Sequence, residues 1–188
     1  MSAVPDGTGV IKARAKGCGI GCGGLFALAI VIGLVTSGES KVERLKDADR
    51  QIRSVEFSGP NAWVMIDLRD APYAKDYPFA AGMVLKAVGK AVKSGAKDVG
   101  PDTQFVQYVV TAPSTGRLGE QEHQRLFTGR LRVAELRAAN YDKMSEAQML
   151  NISDEITVPS RVAGEAIRAF CEDGDYGSWA AEFCGKAQ

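Results

Sequence analysis

A chain of 188 residues that is 45% hydrophobic and 24% charged has the composition of an ordinary folded protein, and its 23 Lys/Arg against 23 Asp/Glu leave no net charge. The first 38 residues hold three of the cations and one of the acids, so the remainder carries 20 against 22. That balance excludes the basic footprint of a nucleic-acid binder, and about 150 residues suffice for one hydrophobic core but not for two.

Residues 1–16 read as a short tail carrying Lys12, Arg14 and Lys16, and residues 17–38 hold no charged residue at all. At the heart of that stretch, Leu25 to Val35 is continuously apolar. About 20 such residues, rising ~1.5 Å each, cross the ~30 Å hydrocarbon core of a bilayer, so 17–38 is expected to be a transmembrane helix in contact with lipid. The alternative is a cleavable signal sequence that releases a secreted domain, because the strictly apolar heart has the length of a signal-peptide core. Val35-Thr36-Ser37 matches a small-residue cleavage site poorly, which favours a retained anchor.

Flanking cations alone, three before the span against Lys41, Arg44, Lys46, Arg50 and Arg53 after it, would keep the large domain inside. The cations of the second flank are interleaved with Glu39, Glu43, Asp47 and Asp49, whereas Lys16 abuts the span. The expected topology is therefore a single pass with the large domain outside the cytoplasm, periplasmic or extracellular. Gly17/Gly21 and Gly19/Gly23 are each four apart, the spacing that lets membrane helices approach closely and a route to a homo-oligomer. Their bland reading is that they loosen the start of the span. The same glycines formally match G-x-G-x-x-G, but the dinucleotide fingerprint needs a preceding strand, and none is expected at a membrane edge. Cys18 and Cys22 have no further ligands nearby and read as small apolar helix residues.

Residues 39–53 place nine charges in fifteen positions, with Glu43/Lys46, Asp47/Arg50 and Asp49/Arg53 at helical spacing. They predict a solvated helical stalk between the membrane and a single soluble domain at 54–188. From Ser54 the period shortens: Ser54–Phe57, a Ser-Gly-Pro-Asn turn and Ala62–Leu68 predict a hairpin whose second strand is apolar on both faces and hence central, with Trp63 in the core. Phe79–Ser94 predicts a helix covered on most sides, leaving a stripe of Lys86, Lys90 and Lys93 with Lys97 just beyond. That stripe is either a solvated face or a contact for anionic lipid or an acidic partner.

Residues 104–112 and 126–133, separated by a turn-rich segment, predict a second hairpin. Residues 134–151 suggest one or two short helices broken near Asn140-Tyr141-Asp142, and Pro159–Glu172 and Ser178–Cys184 predict two more. A ββαββ order makes an α+β layer, four antiparallel strands with the 79–94 helix on one face and C-terminal helices appended.

Cys171 and Cys184 flank a turn between two helices, so a hairpin would bring their Cα atoms to the ~5.5 Å that a bridge requires, and an oxidising compartment would close it. Catalytic chemistry finds less support. The single histidine, His123, lies in a polar stretch where an exposed surface role is expected, and no G-x-S-x-G, H-E-x-x-H or P-loop pattern is present. Asp67, Arg69 and Asp70 follow the central strand and would line any cleft there. No catalytic, cofactor-binding or metal-binding residue is assigned and no cofactor is implied. The expectation is an anchored α+β domain that binds a protein partner as an accessory or assembly component of an envelope complex. The rival class is a small tethered enzyme using Asp67, Asp70 and His123.

Overall fold

The computed structural model describes residues 43–69, 71, 73–115 and 121–187, all of them within one compact unit, Gly38–Gln188. The expected membrane span at 17–38 lies outside the described residues, and with it the four glycines expected to pack helices in the membrane, Gly17, Gly19, Gly21 and Gly23. Cys18, Cys22 and Asp70 lie outside them too. Among the described residues no helix is long and apolar enough to cross a membrane.

Five strands form one mixed sheet in sequence order: β1 (Ile52–Ser58), β2 (Asn61–Asp67), β3 (Phe105–Thr115), β4 (Gln121–Arg132) and β5 (Asp154–Thr157). The first hairpin is as expected, with Ser58 opposite Asn61 and the turn closed by Gly59 at φ +56°, a left-handed conformation that glycine adopts without strain. The second hairpin is also present, with β3 antiparallel to β4. The expected sheet of four antiparallel strands is corrected at two points. Between the hairpins, α1 (Asp76–Lys93) carries the chain back along the sheet, so β3 starts beside the start of β2 and the two pair in parallel, Asn61 opposite Phe105 and Asp67 opposite Thr111. A helical crossover between neighbouring strands imposes that direction. The second point is β5, a four-residue strand on the far edge against β4.

Among the described residues helices cover one face only. Val64 and Ile66 of β2, Val106 and Val110 of β3, and Phe127 and Leu131 of β4 are buried together with Val84, Leu85, Val88 and Val92 of α1. The C-terminal helices α4 (Arg161–Cys171), α5 (Gly174–Trp179) and α6 (Ala181–Lys186) close the same core through aromatic contacts, with Phe127 edge-on to Phe183 and Phe183 edge-on to Phe170. Ser160 caps α4 by accepting from the Ala163 N–H. Cys171 and Cys184 form the expected disulfide, with Cα atoms 5.7 Å apart.

The helical stalk is corrected as well. Leu45–Ala48 is a single 3₁₀ turn, Leu45 is fully buried, and residues 52–58 are β1. The Asp98 carboxylate accepts from the Leu45 N–H, and the Lys97 N–H donates to the Glu43 carbonyl. The helically spaced ion pairs lost to Leu45 and Ile52, the two large apolar residues of the segment that enter the core.

The lysine stripe on α1 faces the chain's own connection. Lys86 donates to the Met144 carbonyl at 2.6 Å and pairs with Glu146, while Lys93 donates to the Ala139 carbonyl at 2.6 Å and lies over the Tyr141 ring. Lys97 pairs with Glu43 at 3.0 Å, and Lys90 is exposed on the same helix. Gly82 and Gly89 let this connection approach, because a Cβ would meet the Glu146 carbonyl at one and the Tyr141 ring at the other. The connection holds α2 (Val133–Ala138) and α3 (Glu146–Asn151), the two short helices expected on either side of residues 140–142.

Candidate functional site

Alternation along a strand sends every second side chain to the face without helices. On β2 these are Trp63, Met65 and Asp67, on β3 Phe105, Gln107, Val109 and Thr111, and on β4 Arg125, Thr128 and Arg130. Trp63 is 43% exposed at the centre of this open face. The indole stands between two hollows. One, of about 210 Å³, is lined by Ser54, Glu56, Met65 and Val109; the other, of about 330 Å³, by Gln107, Thr128, Arg130 and Thr157. The expectation that Trp63 is a core residue is therefore corrected: β2 is central between β1 and β3, but only one of its apolar faces is covered.

Arg130 is held flat on this face, its guanidinium 4.6 Å from the Phe105 ring centre and paired with Glu155 at 2.7 Å. Its Nε is buried and has no hydrogen-bond partner among the described residues. Glu155 adopts φ 55° inside β5, an uncommon backbone state for a residue with a side chain, and the register of β4 against β5 shifts beside it.

At the end of the face where β2 and β3 finish, a groove of about 550 Å³ is lined by Arg50, Gln51, Arg53, Asp67, Leu68, Arg69, Pro113 and His123. The structure brings together Asp67 and His123, which the sequence offered only as separate candidates: His123 Nδ1 lies 2.5 Å from Asp67 Oδ1, and the Thr111 hydroxyl donates to the same oxygen at 2.9 Å. The strand registers put both side chains at the same end of the open face, because His123 is opposite Pro113 across β3–β4 while Asp67 is opposite Thr111 across β2–β3. A carboxylate on one imidazole nitrogen fixes the tautomer and leaves the other nitrogen to bind or exchange a proton. Arg69 is set by its backbone N–H, which donates to the Gln51 carboxamide oxygen at 3.2 Å. Among the described residues none of Arg50, Arg53 and Arg69 has an acidic partner.

Sequence reasoning missed this cationic groove because Arg50 and Arg53 read as stalk charges balanced by Asp47 and Asp49. The signal that would have found it is the apolar Ile52, which marks the start of a strand and puts both arginines at its mouth. The fold and site define a two-layer α+β domain with one sheet face left open. No family model, curated protein or solved structure matches the chain.

Proposed function

We propose that this is a membrane-anchored protein whose domain lies outside the cytoplasm and binds a protein partner through the open face of its sheet, as an accessory or assembly component of an envelope complex. The observation that carries the reading is Trp63, an indole 43% exposed at the middle of a central strand, with half-buried Met65, Phe105 and Val109 beside it. A large apolar side chain in that position gains by being covered, and Trp is the residue type most often dominant in protein interfaces. The Cys171–Cys184 bridge supports an oxidising compartment, and the uncharged segment 17–38 supports the anchor.

The test is co-purification of the full chain from mild detergent with and without Trp63→Ala. The wild type is expected to carry a stoichiometric partner that the variant loses while it remains folded. Retention of the same partner by the variant would overturn the reading. Intact mass tests the anchor, and a mature N-terminus near Gly38 would replace it with a secreted domain.

A second reading, a small tethered enzyme, draws on the Asp67–His123 pair at the mouth of a groove. Loss of a general acid or base lowers a rate by about 10²–10⁴ and leaves the fold intact. Under the binding reading His123→Ala keeps both the partner and cellular function. A folded His123→Ala variant that keeps the partner yet abolishes function would promote the enzyme.

A further inference from the structure

The groove at the ends of β2 and β3 has an electrostatic problem of its own. Three arginines, Arg50, Arg53 and Arg69, line one hollow, and an arginine stays charged at any physiological pH. Among the described residues the one carboxylate in the lining, Asp67, already accepts from Thr111 and is occupied by His123. Like charges gathered on one surface destabilise it unless an anion sits among them. Nearby acids exist on the same segment, yet among the described residues neither Asp47 nor Asp49 pairs with these arginines; Asp49 spends its carboxylate on the Gln51 N–H at 2.8 Å.

From this arrangement we propose that the groove is a phosphate-binding site. Phosphate fits because its oxygens match the planar fork of a guanidinium bidentately, and several such forks can share one tetrahedral group. A volume of about 550 Å³ admits a phosphate with a small organic substituent. Pro113 supplies apolar wall for that substituent. Two sources carry the same chemistry, a small soluble phosphate ester and the headgroup of an anionic lipid. The site is separate from the Trp63 surface, so its failure leaves the partner-binding reading standing and the converse holds too.

The test is calorimetric titration of the full chain in neutral detergent, at constant ionic strength in chloride, with inorganic phosphate and in parallel with glycerophosphoglycerol. Saturable binding of inorganic phosphate assigns the soluble source, and saturation by the diester alone assigns the headgroup. Arg50, Arg53 and Arg69 are exposed, so their replacements are expected to fold. Arg53→Gln and Arg69→Gln are each expected to weaken the observed binding by at least roughly tenfold, the scale of one charge-assisted contact. Arg161→Gln, which removes an exposed cation on α4, is expected to leave it unchanged. Absence of saturable binding by either probe, or an equal loss in Arg161→Gln, would overturn the site.

Discussion

The two faces of the sheet are built from alternate residues of the same strands and meet opposite fates. Ala62, Val64 and Ile66 are at most 1% exposed beneath α1, whereas Trp63, between the first two, is 43% exposed. Both sets are apolar, so hydrophobicity alone does not separate core from surface here. What separates them is supply. Among the described residues the helices supply one layer on the same side of the sheet, with α4 and α6 clamped together by the Cys171–Cys184 bridge. An indole, a thioether and a phenyl on the unserved face are what the proposed binding surface would use.

The sharpest way to break this comparison is to truncate an aromatic on each side. Phe127→Ala, which empties a site that contacts Tyr108 and Phe183, is expected to cost about 3–5 kcal/mol in urea unfolding, whereas Trp63→Ala should cost under about 1.5 kcal/mol. Equal losses would mean that the open face is core after all. Removing the staple with Cys171→Ser and Cys184→Ser together opens a loop with a sequence separation of 13 and is expected to cost about 3 kcal/mol, read as a lower thermal midpoint. Gly82→Ala sets a methyl group against the Glu146 carbonyl and should cost about 1–3 kcal/mol on the covered side. A neutral result there would show that the α2–α3 connection is free to move off α1.

The smallest effect expected is a pH dependence on the covered side. The Lys75 ammonium, 2.8 Å away, and the Tyr176 N–H hold the Asp173 carboxyl below its ordinary range. A carboxyl lowered in the folded state stabilises fully above its unfolded pKa, and that stabilisation is lost as the pH falls through the ordinary carboxylate range and below it. Acid unfolding midpoints should therefore move less with pH in Asp173→Asn than in the wild type. An identical dependence in both would remove the pair from the account.

Which parts of this were legible in the sequence follows from what each signal reports. The helix expected at 79–94, the hairpin expected at 104–112 and 126–133, whose strands run longer at the turn, and the cysteine pair were legible because periodicity, turn residues and spacing are local properties. The parallel pairing of β2 with β3 was implied by the helix between them and was missed by reading hairpins in isolation. Strand β5, Asp-Glu-Ile-Thr, has too few apolar residues to announce itself and exists through pairing with β4. Residues 45–53 misled because charge spacing scored for a helix, while Leu45 and Ile52 had the decisive energy of burial. Trp63 misled because a strand apolar on both faces reads as covered on both, and only the placement of the helices shows otherwise. The Asp67–His123 contact, 56 residues apart in sequence, depends on the register of three strands and could not be read from either residue's neighbourhood.

The most direct test of the open face as a binding surface is site-specific photo-crosslinking in cells, with the reactive side chain placed at position 63 on the sheet or at position 83, where Met83 is exposed on the helical side. A discrete heterologous adduct from position 63 and none from position 83 is the expected result. Adducts from position 83 alone, or the same adducts from both, would contradict it.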